Sequence, residues 1–114
     1  YATTNRQNAI KANASKCDSF IVIGSKNSSN SNRLVEVAAN SGCQDSSLLE
    51  DASKLNLEEY NNSQIIGISS GASVPDILVK EVVDKFEGHF KVDIENVAYG
   101  EENVSFKLPK EIRK

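Results

Sequence analysis

Two short stretches limit the fold more than anything else in this sequence: Phe20-Ile21-Val22-Ile23 and Ile65-Ile66-Gly67-Ile68. Each is a continuous apolar run rich in β-branched residues, without polar alternation. That is the signature of a strand buried on both faces, as in a parallel sheet covered by helices. Leu48-Leu49 is a shorter and weaker third run.

Helical signals fall between these runs. Thr4 followed by Gln7 has capping-box spacing and predicts a helix over residues 5–15, with Ala9, Ile10 and Ala14 as its small apolar face. A second helix is expected from Asn30 or Ser31 to Asn40, with Leu34 and Ala38 one turn apart and Gly42 as its stop. Asn56 with Glu59 marks a short helix around residues 57–60. Ser73 with Asp76 opens a fourth, with Pro75 in its first turn, where a missing N–H costs little. Leu78, Val82 and Phe86 then recur at helical spacing. In the tail, Val104, Phe106 and Leu108 alternate with Ser105 and Lys107, the period of a half-buried strand that Pro109 limits.

Alternating strands and helices imply an α/β domain in three layers, with a mainly parallel sheet of about four strands, helices on both faces and a C-terminal extended tail or edge strand. A length of 114 residues fits one domain, residues 1–114, with no linker to divide it. The chain contains no methionine, and Tyr1-Ala2-Thr3-Thr4-Asn5-Arg6-Gln7 reads as the interior of something longer, so a fragment is expected.

Several function classes are disfavoured by composition. A net charge of -3 gives no basic field for nucleic acid or an anionic membrane. No apolar run approaches the roughly 20 residues of a membrane helix. Cys17 and Cys43 lack the paired spacing of a zinc or redox motif; they read first as buried or incidental thiols in a reducing cytosol, with a disulfide between them as the alternative. One histidine, His89, builds no metal centre alone and reads as a polar residue near a helix end.

The chemistry concentrates in two loops. Gly24-Ser25-Lys26-Asn27-Ser28-Ser29-Asn30-Ser31-Asn32 follows the first strand, and Ser69-Ser70-Gly71-Ala72-Ser73 follows the other long run. Both lead into helices at the carboxyl ends of strands, where open α/β sheets bind ligands. Thr3-Thr4-Asn5 opens the first helix as a third element. Hydroxyls, amides and helix N-termini suit an anion with many acceptor oxygens, such as a diphosphate. Gly71 would permit a close backbone approach or a positive φ. Ser/Asn-rich loops are more often plain solvated turns, and Lys26 reads first as a solvated lysine; two such loops on one sheet edge strengthen the anion reading. The paired carboxylates Glu50-Asp51, Glu58-Glu59 and Glu101-Glu102 lie outside both loops and read as surface. No nucleophile elbow, Walker A loop or dinucleotide fingerprint occurs.

The segments Tyr1 to Gln7, Gly24 to Leu34, Gly71-Ala72-Ser73-Val74-Pro75-Asp76, Glu101-Glu102-Asn103 and Leu108-Pro109-Lys110-Glu111 resemble, in order, the signatures of the LytB/IspH family of 4-hydroxy-3-methylbut-2-enyl diphosphate reductases. The resemblance implies the C-terminal, third domain of an enzyme that converts that diphosphate into isopentenyl and dimethylallyl diphosphates, the last step of the non-mevalonate pathway in bacterial cytoplasm. It implies a [4Fe–4S] cluster held by three cysteines in the full-length enzyme, with ferredoxin or flavodoxin as electron donor and the N-terminal domains of the same chain as partners. It maps diphosphate binding onto Ser28, Ser29, Asn30 and Ser73, and places Thr3 near the substrate. The family's third cluster cysteine falls just before Tyr1, and neither Cys17 nor Cys43 matches a ligand position. The resemblance therefore implies that this stretch carries no metal, no catalytic residue and no turnover by itself. The alternative reading is a stand-alone phosphate-binding or regulatory module.

Overall fold

The structure is a computed structural model that describes residues 2–60, 65–71, 74–90, 95–99 and 102–109, with side chains described only for 7–60, 65–71 and 74–90. The helices are α1 (Ala2–Asn13), α2 (Ser29–Asn40) and α3 (Asp76–His89). The strands are β1 (Ser19–Ile23), β2 (Ser46–Leu49), β3 (Ile65–Ser70), β4 (Glu95–Tyr99) and β5 (Glu102–Pro109). The sheet order is β2-β1-β3-β5-β4. β1 pairs in parallel with β2 and β3, whereas β5 runs antiparallel to both β3 and β4.

The two apolar runs became strands because helices cover both of their faces. Alternate residues Ile21, Ile23, Ile66 and Ile68 meet Val79, Val82, Val83 and Phe86 of α3, together with Leu55 and Tyr60. Phe20 and Val22 face the other way, toward Ile10, Leu34, Val37 and Ala38 of α1 and α2. Gly67 keeps that second face close-packed: a methyl group there would overlap the Phe20 ring and lie 3.0 Å from Cys17 Sγ. The result is the expected three layers.

Several local expectations are corrected. α1 starts at Ala2, so Thr4 lies inside the helix and is not its cap. Pro75 sits just before α3 with extended backbone, φ -62° and ψ 142°, rather than in its first turn. A proline ring fixes only φ, so it suits the residue before a helix as well as the first one in it. The strand containing Val104, Phe106 and Leu108 is not at the edge, because β4 takes that place outside it. The stop at Gly42 follows the expectation. Its φ is +118°, and the Cys43 and Gly42 N–H groups donate back to Ala38 and Ala39 carbonyls at 3.2 and 3.3 Å, a Schellman closure. The short helix at Leu57–Tyr60 is 3-10, with Asn56 Oδ1 accepting from the Glu58 N–H at 3.2 Å.

Cys17 and Cys43 are buried in the core and are not joined in a disulfide. Burial pushes the Cys43 thiol above its ordinary pKa, and burial does the same to the Tyr60 phenol. Raised pKa values in the folded state mean that their contribution to stability is complete below the unfolded values. For cysteine that value is about 8.5. The contribution is then lost as pH rises through the folded pKa. Chemical denaturation at neutral and alkaline pH is expected to show lower stability on the alkaline side, and an unchanged midpoint would contradict the burial of these groups.

Candidate functional site

The parallel strands β1 and β3 end at the same edge, and their loops meet there. The Gly71 N–H donates to the Ile23 carbonyl at 3.0 Å, so the second loop is tied to the end of β1 as it leaves β3. On the other side, the Gly24 N–H donates to the Leu49 carbonyl at 2.9 Å. The backbone approach expected of Gly71 is present, but its φ is not positive; close packing alone explains the glycine.

The first loop is organised by its own polar side chains. The Ser28 N–H donates to the Ser25 carbonyl at 2.9 Å, and the Asn27 N–H donates to Ser25 Oγ at 3.1 Å. Ser28 is the N-cap of α2, its Oγ accepting from the Ser31 N–H at 3.2 Å. Asn32 Nδ2 donates to the Lys26 and Ser28 carbonyls at 2.9 and 3.0 Å, closing the loop from below. A capping hydroxyl that accepts a backbone hydrogen bond still has its own proton to donate. Ser28 can therefore hold the helix start and offer O–H to a ligand together.

Ser28 and Asn30 are half-buried and Ser29 is exposed, so these candidate residues border solvent at the first turn of α2. The N–H groups of a helix's first turn lack intrahelical acceptors, and the macrodipole places partial positive charge there. α3 begins just beyond the second loop and points its N-terminus to the same edge. Lys26, the only charged residue in either loop, is exposed. It lies near enough to Glu50 to help keep that carboxyl low, behind the main cause, the hydrogen bond from Lys54. The edge is thus rich in neutral donors, the equipment for gripping an anion without a fixed counter-charge.

Ser73 and the side chain of Thr3 lie outside the described residues; the backbone of Thr3 falls in the first turn of α1. Of the candidate residues, Ser28, Ser29 and Asn30 stand together at the edge. The contact that sequence reasoning missed is Ser31, 1% exposed beneath them, packed against Gly24 and Gly71 at once. A buried serine inside a run of exposed polar residues gives no signal of its own. His89 is exposed at the end of α3 with its ring edge-to-face on Phe90 at 4.6 Å. Among the described residues no three His, Cys, Asp or Glu side chains converge to hold a metal ion. None of the described helices is long and apolar enough to cross a membrane.

This geometry has well-defined relatives. The model of the LytB protein family matches residues 1–87. The 4-hydroxy-3-methylbut-2-enyl diphosphate reductase of Roseobacter denitrificans is 48% identical over 113 residues, covering 99% of this chain and 36% of the relative. The reductase of the same name from Rhodococcus jostii is also 48% identical over 113 residues, covering 99% of this chain and 34% of its own. The chain thus spans about a third of the length of the curated relatives it matches. Among solved structures, the Plasmodium falciparum E-1-hydroxy-2-methyl-but-2-enyl-4-diphosphate reductase superposes with a TM-score of 0.72 at 35% identity, over 75% of this chain and 27% of that one. An (E)-4-hydroxy-3-methyl-but-2-enyl diphosphate reductase, described as the terminal enzyme of the non-mevalonate pathway, gives 0.71 at 32% identity, over 75% and 30%.

Proposed function

Because this chain belongs to the LytB protein family, we propose that it is the third domain of a 4-hydroxy-3-methylbut-2-enyl diphosphate reductase and that its sheet edge holds the substrate's diphosphate. The observation that carries the reading is the meeting of two donor-rich loops at one edge of a chain similar along 99% of its length to such reductases. Ser28, Ser29 and Asn30 supply hydroxyl and amide donors from the start of α2, and Ser73 and Thr3 complete the set. Their work is positional. A diphosphate fixed at this edge fixes the rest of a small substrate as well, which turns an encounter into an oriented complex.

The [4Fe–4S] cluster that the resemblance implies for the full-length enzyme would supply the redox chemistry. The described residues do not fit it: Cys17 and Cys43 are buried just ahead of β1 and β2, at the opposite end of the strands from the loops. Its ligands therefore belong to the remainder of the full-length protein, as do the surfaces for ferredoxin or flavodoxin and the other walls of the cavity. On this reading the full-length enzyme works in the bacterial cytoplasm.

The test is Ser28→Ala and Asn30→Ala in the full-length reductase. A hydrogen bond to a charged group is worth about 1.5–3 kcal/mol, so each variant should lose roughly 10- to 100-fold in kcat/KM. Unchanged kinetics in both would remove the diphosphate from this edge.

A further inference from the structure

Ser31 belongs to neither a solvent-facing turn nor the apolar core. It is the third residue of α2, only 1% exposed, directly below Ser28, Ser29 and Asn30. Its side chain fills the gap between two glycines that end different strands. A methyl group at Gly24 would overlap the Ser31 hydroxyl and lie 2.8 Å from Ser31 Cβ. A methyl group at Gly71 would overlap the same hydroxyl and come within 3.6 Å of Asn30 Oδ1. Both glycines also have Val74 Cγ2 as a neighbour, at 3.7 and 3.6 Å from those methyl positions. Neither has a positive φ, so neither is needed for its backbone conformation. The group that a side chain at either position would overlap is Ser31.

We propose that Ser31 is a positioning residue for the diphosphate site, its hydroxymethyl group seated between Gly24 and Gly71 so that the loop after β1 and the loop after β3 are held at one fixed separation. Ser28 to Asn30 are on the helix turn that carries Ser31, and Ser73 is two residues beyond Gly71. A larger group at any of the three positions must push one loop away from the other. Serine is the size that fits: glycine would leave the loops unspaced, and threonine or valine would add a branch where both glycine backbones already touch. The inference rests on the diphosphate reading above and adds the element that sets its geometry.

The decisive variants are Gly71→Ala, Ser31→Gly and the double variant Gly71→Ala/Ser31→Gly in the full-length reductase, with Asn30→Ala alongside. Binding of inorganic diphosphate by calorimetry gives a readout independent of turnover, and KM and kcat are measured separately. Displacing a positioned group by about 1 Å can cost on the order of 100-fold. Gly71→Ala is therefore expected to weaken diphosphate binding and raise KM by roughly 10-fold or more. Removing the Ser31 side chain makes room for the new methyl group, so the double variant should recover most of that affinity although each single variant is impaired. Equal weakening in Gly71→Ala and in the double variant overturns the proposal, as does normal affinity in Gly71→Ala. If Gly71→Ala does not fold, restored folding and affinity in the double variant support the seat, and failure of both overturns it. Asn30→Ala separates the two levels: normal binding there removes the diphosphate from this edge, whereas weakened binding there without rescue in the double variant sinks only the role of Ser31.

Discussion

Asn30→Asp is expected to abolish useful diphosphate binding while leaving the domain folded. Asn30 is the second residue of α2, half-buried beside the second loop, with Oδ1 3.6 Å from where a Gly71 side chain would begin. Aspartate has the same shape but loses the amide donors and brings a negative charge toward an anion. The lost hydrogen bond costs about 1.5–3 kcal/mol. Two like charges about 5 Å apart repel by roughly 3 kcal/mol at an effective dielectric of ~20. Salt screens part of that repulsion, so the lower end of the sum applies, near 4 kcal/mol, or about 1,000-fold in affinity. The same charge lies in the first turn of a helix, where the macrodipole favours it. Melting temperature should change far less than affinity. That separation of stability from affinity distinguishes a ligand-facing residue from a structural one. An Asp variant that binds inorganic diphosphate normally would show that Asn30 does not face the anion.

The same site illustrates what could be read from the residues and what could not. The loops were legible because two apolar runs announce buried strands, and the polar residues after each fall at the carboxyl ends by connectivity alone. Ser28 as a helix start is close to the expected boundary at Asn30 or Ser31, since Ser and Asn are interchangeable caps in composition. Ser31 was not legible. Its role exists only because Gly24 and Gly71, distant in sequence, arrive on either side of it. Sequence spacing carries no trace of that meeting. β4 was missed for a related reason: in Glu95-Asn96-Val97-Ala98-Tyr99 the apolar run is only three residues long, includes a small alanine, and shows no clean alternation. Its place is fixed by pairing with β5, which in turn is paired with β3. The tail's alternating period was visible, yet period says nothing about whether a second strand lies outside it. At Thr4 a local signature was overridden, because the helix continues through Thr3 to Ala2 and a cap works only where a helix ends.

Phe86→Ala is expected to produce the opposite separation, a large loss of stability with little change in ligand binding. Phe86 is fully buried in α3. Its ring meets Tyr60 edge-to-face at 5.4 Å and stacks with Phe90 at 6.3 Å, joining α3 to the 3-10 turn at Leu57–Tyr60 and to the Ile66 and Ile68 face of β3. Truncating a buried Phe costs about 3–5 kcal/mol through lost transfer energy and the cavity left behind. A domain of this size has only about 5–15 kcal/mol in hand. Each kcal/mol moves the melting point of a small domain by about 4 °C or more, so thermal unfolding should drop by at least ~10 °C. The ring lies on the α3 side of the sheet, whereas α2 packs on the other through Leu34, Val37 and Ala38, against Phe20 and Val22. KM of the full-length enzyme, measured below the new melting point, should therefore stay near normal even as stability falls. A raised KM would mean that the α3 layer controls the loop after β3, carrying strain from the far end of the helix to Gly71. Near-normal stability would mean that Tyr60 and Phe90 close over the gap and that the core of this face does not depend on its largest ring.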